Sequence, residues 1–224
     1  MPKPVNYRET ADLWHGAGRL FTGFDQTKAR VENDYFGGGV AYLTTDSSDH
    51  RVTVGYARSA SKNTQTPYVY RCALNARKVF DVDEEYTGKE LRAFLKTFKT
   101  RDQIESFARY AGLLSKDRAL VLSSLTKVLL MDDAEAISLT GAQIFTGLAG
   151  GQYRSSTVRQ KLITLGYNCL RYNGGFQTAS HVAGMSAVKP HNVYIAYDAK
   201  DIQIKTIFEV AGLRDREVLI ERRV

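Results

Sequence analysis

The spacing of apolar residues changes twice along the chain. Up to about residue 82, apolar residues form short runs rich in β-branched and aromatic side chains, which predict strands at 40–45, 68–74 and 79–82. From 89 to about 165 the chain has no proline, and apolar residues recur at helical spacing. After residue 165 the short runs return, and 192–197 is the clearest strand of the chain.

Local signals indicate where elements begin and end. Asp46 and Ser47 can cap a helix over 46–59, and Gly166 is placed to end a helix over 156–165. The remaining predicted elements are helices at 120–130 and 140–148 and strands at 167–172, 202–204 and 206–208. Strands, then helices, then strands, without βαβ alternation, predict an α+β fold.

The helical stretch is not separated from its flanks by a linker rich in Pro, Gly or Ser. We therefore expect a single domain over 1–224. Its core strands lie within about 11–82 and 164–208, and residues 89–165 form a helical insertion that covers one side.

Composition restricts the location and the partners. The 224 residues are 43% hydrophobic and 25% charged, as in ordinary globular proteins. No apolar run reaches the roughly 18 residues of a membrane-spanning helix, and no apolar stretch follows the charges near the N-terminus. We expect a cytoplasmic protein with no membrane partner. The net charge of +7 and the pI near 9.3 favour nucleic acid, acidic proteins and phosphate-bearing ligands.

Cysteine and histidine give no sign of a metal site. Cys72 and Cys169 stand alone among apolar residues, which predicts two small core side chains and no disulfide framework. The four histidines are scattered and lack the spacing of metal ligands. We expect no metal.

Two segments near the N-terminus resemble a known family. Residues 13–21, with His15 followed by Gly16, resemble the opening of ADP-ribosyltransferases of the diphtheria-toxin and poly(ADP-ribose) polymerase class, in which a strand carries His-Gly-Thr or His-Gly-Ser. Residues 37–46 resemble the Gly-x-Gly-Ile-Tyr-Phe-Thr of that class, with Tyr42 at the tyrosine. Tyr56 with the following alanine is similar to the Tyr-Ala that the class has one helix later.

Two later blocks extend the resemblance. Residues 70–75 with 79–81 are similar to the next strand of the class and its Asn-Pro-Phe-Asp exit. Residues 165–168 and 192–204 are similar to the closing blocks, Gly-Tyr-Asp-Gly and Glu-Tyr-Val-Val-Phe-Asp-Pro with a later Gln-Ile. Four blocks in the family's order are far more specific than one, although 89–165 has no counterpart.

The resemblance implies a fold and a site. The fold would be two small, mostly antiparallel sheets split around an NAD⁺-binding cleft. His15 would hydrogen-bond a ribose hydroxyl, and the Gly16 backbone would pair with the carboxamide of the nicotinamide. Tyr42 would stack on the cationic nicotinamide ring, Tyr56 would form the second wall, and Thr44 would add a hydroxyl.

The sequence departs from the family at its third catalytic position. The family's glutamate, which orients the ribose and stabilises the developing positive charge, is replaced by Val193. Three interpretations are open. The enzyme dispenses with the acid and uses the nucleophile of its target; or Gln177, His181, His191 or Asn192 replaces it; or the protein binds NAD⁺ or nucleic acid without catalysis.

The predicted function is a mono-ADP-ribosyltransferase that moves ADP-ribose from NAD⁺ to nucleic acid or protein and releases nicotinamide. A toxin-like or phage-encoded effector, with an antitoxin or inhibitor as a further partner, suits this reading. The alternatives are an NAD⁺ glycohydrolase and an inactive binding module. Taken singly, His15 is typical of a structural histidine and Tyr42 of a core strand residue; the four blocks together favour the NAD⁺ site.

Overall fold

The computed structural model describes residues 10–28, 36, 38–45, 50–61, 66–113, 122, 123, 125, 126, 138–150, 156–174, 191–212 and 218–222. Contacts divide them into two compact units. The sheet unit holds the described residues of 4–29, 39–79 and 168–224, and the helical unit holds mainly those of 80–167.

The sheet unit is built on one mostly antiparallel sheet. Its described strands are β1 Leu13–Ala17, β2 Ala41–Thr44, β3 Tyr68–Leu74, β4 Val79–Asp81, β7 Cys169–Asn173, β8 Asn192–Ala196, β9 Ile202–Ala211 and β10 Val218–Arg222. In β4, Val79 belongs to the sheet unit and the two residues after it belong to the helical unit. The described strands follow the order β10-β9-β3-β1-β2-β8-β7-β4. Strands from both ends of the sequence are therefore neighbours.

Strand β1 lies in the middle of this order and is paired unequally. All five of its residues have register partners on β3, from Leu13 opposite Cys72 to Ala17 opposite Tyr68. Its register with β2 consists of the single pair Trp14 and Thr44. We call the junction of β1 and β2 the seam, because the two halves of the sheet meet there through one residue pair.

One helix packs against β1 within the sheet unit. Helix α1 Arg51–Ser61 lies so close to Gly16 that a Cβ there would meet the Thr53 carbonyl oxygen at 2.4 Å and the Ala57 nitrogen at 2.6 Å. Glycine is required at this position because no side chain fits between strand and helix. Trp14, Val54 and Ala57 share a buried cluster on this face.

The opposite face of the sheet carries the larger core. Leu13, Leu43, Tyr70, Cys72 and Tyr194 belong to one buried cluster contributed by β1, β2, β3 and β8. Both cysteines are buried and unbonded to each other, which confirms the prediction that they are core residues. The alternation of side chains along each strand explains why neighbouring residues such as Leu13 and Trp14 enter different clusters.

The helical unit contains four described helices and a small two-stranded sheet. They are β5 Glu85–Tyr86, α2 Gly88–Leu95, α3 Arg101–Tyr110, β6 Leu139–Thr140, α4 Gly141–Ala149 and α5 Ser156–Thr164. Capping boxes begin α3 and α4: Thr100 pairs with Gln103, and Thr140 pairs with Gln143. These reciprocal bonds satisfy backbone donors at the helix starts.

Aromatic rings form the centre of the helical unit. Phe80 stacks on Tyr86 at 5.3 Å between centroids, and Phe94 stacks on Tyr167 at 5.7 Å. The Tyr86 hydroxyl accepts a bond from the Asp81 nitrogen at 2.8 Å. Gly166 follows α5 with a φ of +85°, which agrees with its prediction as a helix-ending glycine.

The mixture of helices with a large, mostly antiparallel sheet agrees with the α+β class, and the arrangement of the strands differs from the sequence prediction. The structure joins the expected two sheets into one hydrogen-bonded order through the seam. The stretch predicted as a helical insertion forms a compact unit with contacts of its own. The predicted strands 202–204 and 206–208 are one long strand, β9, and most of the predicted helix 120–130 lies outside the described residues.

Candidate functional site

The His15 imidazole crosses the seam. Its Nδ1 lies 2.9 Å from the backbone oxygen of Tyr42 on β2. A carbonyl oxygen only accepts hydrogen bonds, so Nδ1 must carry the proton. In the neutral ring, Nε2 is then the acceptor nitrogen. This contact brings together the two residues on which the sequence prediction depends.

Aromatic rings surround His15. Its ring centroid lies 5.2 Å from that of Phe24 and 6.1 Å from those of Phe21 and Tyr70, and Phe21 stacks on Tyr70 at 4.1 Å. The Tyr70 hydroxyl donates to the Arg19 oxygen and accepts from the Phe21 nitrogen. These two hydrogen bonds hold the 18–24 segment beside His15 and fix the position of the Tyr70 ring.

The ionisation of Tyr70 suits this role. Burial raises the pKa of the Tyr70 hydroxyl to about 12. The hydroxyl therefore keeps its proton at neutral pH and can donate and accept at the same time. Only a neutral phenol can serve both backbone groups of the 18–24 segment.

Gly16 and Tyr56 lie together on the α1 side of the sheet. The Cβ of Tyr56 is 3.0 Å from the point that a Gly16 Cβ would occupy. The Trp14 carbonyl accepts a bond from the Thr44 hydroxyl across the seam. In a strand, the backbone polar groups of residues two apart point towards the same neighbouring strand. The carbonyl of Gly16 therefore also points towards β2, beyond the single residue pair that joins β1 and β2.

Tyr42 and Thr44 occupy one face of β2. Tyr42 is half-buried, whereas Thr44 is 3% exposed. The Thr44 hydroxyl lies 3.3 Å from the Trp14 carbonyl and 3.3 Å from the Thr53 hydroxyl of α1. The structure thus uses the Thr44 hydroxyl to tie the seam to α1, while Tyr42 retains exposed surface.

Val193 lies in a buried cross-strand row. It is opposite Thr44 on β2 and Tyr172 on β7, and it is 1% exposed. A Cβ on Gly174 would be 2.6 Å from the Val193 Cγ2 and 2.6 Å from the His191 Nε2. The position that the sequence resemblance aligns with the family's glutamate is therefore tightly packed.

The predicted substitutes for the glutamate are placed differently. His191 is buried beside Gly174, next to Val193. Asn192 accepts a bond from Arg171 through its side-chain oxygen, and its backbone exchanges bonds with Thr45. Gln177 and His181 lie outside the described residues. Of the described candidates, His191 is the one whose side chain shares with Val193 the close approach to Gly174.

Sequence reasoning missed two contributors to the neighbourhood. Trp14 sits at the seam, and the His50 ring lies over it at 4.0 Å between centroids. His50 has a φ of +52°, a left-handed conformation that is uncommon for histidine. The sequence predicted a helix over 46–59 that would include His50, whereas the structure begins α1 at Arg51. The approach of His50 to Trp14 depends on the path of the chain between β2 and α1.

Comparison with known proteins adds no relative: the chain matches no protein-family model, and neither a curated protein nor a solved structure matches it. Within the described residues, no helix is both long enough and apolar enough to cross a membrane. In the same part of the chain, no three His, Cys, Asp or Glu side chains are grouped as metal ligands.

Proposed function

We propose that the chain binds NAD⁺ at the seam on an ADP-ribosyltransferase-like fold and transfers ADP-ribose to a macromolecule. The observation that carries the proposal is the 2.9 Å contact between the His15 ring and the Tyr42 backbone. These residues come from two separate blocks of the family resemblance, and the sheet places the two blocks on adjacent strands.

The His15 ring has the orientation that the proposed role needs. With Nδ1 donating to the Tyr42 carbonyl, Nε2 can accept a hydrogen bond from a ribose hydroxyl. The rings of Phe21, Phe24 and Tyr70 restrict the imidazole to this orientation. A rigid acceptor is what a reaction controlled by substrate positioning requires.

The backbone at Gly16 supplies the second feature. Its carbonyl faces the part of the seam that β2 leaves unpaired, as expected for a group that pairs with the carboxamide of nicotinamide. Tyr42 and Tyr56 are both half-buried, and their rings would form the two walls around the nicotinamide. A cationic pyridinium is stabilised against aromatic faces. No metal enters this scheme.

The buried Val193 restricts the chemistry. It offers no carboxylate to orient the ribose or stabilise an oxocarbenium-like transition state. We infer that the acceptor nucleophile compensates, so that nicotinamide release is slow in water and faster with the correct acceptor. In this scheme water is a poor substitute for the target, which places glycohydrolysis second.

Nicotinamide release from NAD⁺ tests the proposal, with and without a cell lysate or nucleic acid. We expect His15→Ala and Tyr42→Ala each to lower the rate at least about tenfold, because each removes a positioning contact worth more than about 1.4 kcal/mol in the transition state. The matched control Tyr42→Phe keeps the ring and should retain most of the activity. Thermal unfolding of each variant checks that it is folded.

Labelled NAD⁺ identifies the acceptor class. We expect label in the nucleic-acid or protein fraction of a lysate, dependent on His15. If wild type releases no nicotinamide under any condition but binds NAD⁺ in calorimetry, the inactive binding module replaces the transferase. If it neither binds NAD⁺ nor releases nicotinamide, the site assignment is wrong.

A further inference from the structure

The connection between α2 and α3 in the helical unit is unusually basic. Lys96, Lys99 and Arg101 are all exposed there. Lys161 of α5 joins them, because its Nζ lies 5.2 Å from the centroid of the Phe98 ring in the same connection. We call these four cations, with residues 96–101, the basic loop.

The cations of the basic loop differ from six other lysines and arginines of the described structure in their salt bridges. These six form the pairs Arg71 with Asp12, Lys28 with Asp25, Arg77 with Asp201, Arg109 with Glu105, Lys200 with Asp198 and Arg222 with Glu209. Among the described residues, no carboxylate forms a salt bridge with a cation of the basic loop. Asp102 is the acidic neighbour in sequence, so positive charge remains in excess.

The backbone of the loop is held rigidly. The Lys96 nitrogen donates to the Arg92 oxygen, and the Phe98 nitrogen donates to the Leu95 oxygen at 3.1 Å. The Gln103 side chain accepts from the nitrogens of Lys99 and Thr100. The positive ends of peptide dipoles at the start of α3 add to the same potential. The charges are therefore displayed from a fixed scaffold.

Lys161 is the least exposed of the four cations of the basic loop. Partial burial beside Phe98 lowers the pKa of the Lys161 ammonium. A surface that holds four cations together without carboxylate partners gains free energy when an anion neutralises them.

We propose that the basic loop binds the phosphodiester backbone of nucleic acid. Repeated phosphates at regular spacing suit several exposed lysine and arginine side chains, and such contacts need no base recognition. A protein partner would require a buried apolar anchor, and a lipid surface would require exposed apolar side chains. In this loop the one large apolar ring, Phe98, is half-buried, packed on Phe107 at 5.3 Å and covered by Lys161.

Binding of a fluorescent 20-base-pair DNA duplex across a salt series tests the proposal, with the full chain and no NAD⁺. The test variant combines Lys96→Gln, Lys99→Gln and Arg101→Gln. The control combines Lys28→Gln, Lys200→Gln and Arg71→Gln, which removes the same number of lysines and arginines from salt-bridged sites. Circular dichroism and thermal unfolding verify that both variants fold.

For the wild type we expect log Kd to rise with log salt concentration. The slope should fall in magnitude by about 1 for each phosphate contact removed in the test variant. At about 50 mM salt this variant should bind at least about 30-fold more weakly, while the control stays within about threefold of wild type. Adding Lys161→Gln should weaken binding further.

Three results would overturn the proposal. The first is an equal loss in both triple variants, which would reflect net charge alone. The second is displacement of the duplex by polyglutamate as effectively as by unlabelled DNA, which would assign the loop to an acidic protein. The third is loop-dependent binding to phosphatidylserine vesicles without loop-dependent binding to DNA. None of these depends on the NAD⁺ site, so the two proposals fail separately.

Discussion

The two edges of strand β1 differ in how they are paired. Towards β3 every residue of the strand has a partner, and the buried cluster of Leu13, Tyr70 and Cys72 lies across this edge. Towards β2 there is a single register pair, and two side chains also bridge the strands: His15 bonds the Tyr42 backbone and Thr44 bonds the Trp14 backbone.

The two edges of β1 therefore have different roles: pairing with β3 stabilises the sheet, whereas the β2 edge is where we expect a ligand to bind. The β3 edge satisfies its backbone groups through the ladder, so nothing there can bind a ligand without breaking the sheet. At the β2 edge, His15 and Thr44 bond backbone carbonyls through their side chains, and such bonds can exchange partners at lower cost than a ladder. A site for a polar ligand is expected on the second edge, and the proposed NAD⁺ contacts of His15 and Gly16 lie there.

The largest effect we predict comes from introducing a carboxylate at the buried position of Val193. Val193→Glu should lower the free energy of unfolding by about 4 kcal/mol, because it buries an uncompensated charge. Val193→Gln, which is similar in size but neutral, should cost less. Urea denaturation of both variants measures the difference. A Val193→Glu protein as stable as wild type would show instead that this position is solvated, as a catalytic position would be.

The next effect concerns the contact of β1 with α1. Gly16→Ala should destabilise the protein by about 3 kcal/mol, since overpacking against backbone atoms cannot be relieved by rotating a side chain. Gly23→Ala is the matched control, because a Cβ there has nothing within 4 Å, and it should be nearly neutral. Equal denaturation midpoints for the two variants would mean that α1 can move away from the strand.

A smaller effect is expected at the seam itself. Thr44→Val keeps the shape of the side chain but removes the hydroxyl that bonds the Trp14 carbonyl and approaches Thr53. The loss should be about 1 kcal/mol, the usual net worth of a buried hydrogen bond. Hydrogen exchange would localise it: faster exchange in β2 with unchanged protection in β3 supports a separable seam, whereas uniform acceleration argues for one cooperative sheet.

The smallest change in stability near neutral pH is expected from ionisation of the two cysteines, which lie in different halves of the sheet. Burial raises the pKa of the thiols of Cys72 on β3 and Cys169 on β7 from 9.0 to about 12. A raised folded-state pKa leaves stability unchanged below pH 9 and lowers it as the pH rises towards 12.

At pH 8 both thiols should therefore react with a disulfide reagent only as fast as the protein unfolds, and at equal rates. Mass spectrometry after timed labelling measures each rate. Faster labelling of Cys169 than of Cys72 would mean that the half beyond the seam opens on its own.

The sequence predicted the elements whose signal is local. Strands β3 and β8, helices α4 and α5 and the glycine after α5 were placed within a few residues, because apolar periodicity and capping chemistry act over short distances. Strand β10 was missed, since Val218 and Ile220 are exposed and their pairing with β9 is a tertiary contact.

The site was predictable only in part. The blocks around His15 and Tyr42 were identified from sequence, but the bond between them requires β1 and β2 to be adjacent. The burial of Thr44 and the tilted ring contact of His50 with Trp14 depend on where α1 packs. Propensity along the chain carries no information about such contacts between elements.

The connectivity of the sheet also bears on how the protein is made. Strand β3 pairs with β9, with Tyr68 opposite Glu209 and Leu74 opposite Ile202. This edge of β3 therefore stays unpaired until β9 has been translated, which happens after the whole of 80–167. Non-local pairing of this kind folds slowly, and unpaired strand edges on a nascent chain invite aggregation. We expect the ribosome-bound intermediate, with β1, β2 and β3 emerged but β8 and β9 still untranslated, to be the species that most needs a chaperone.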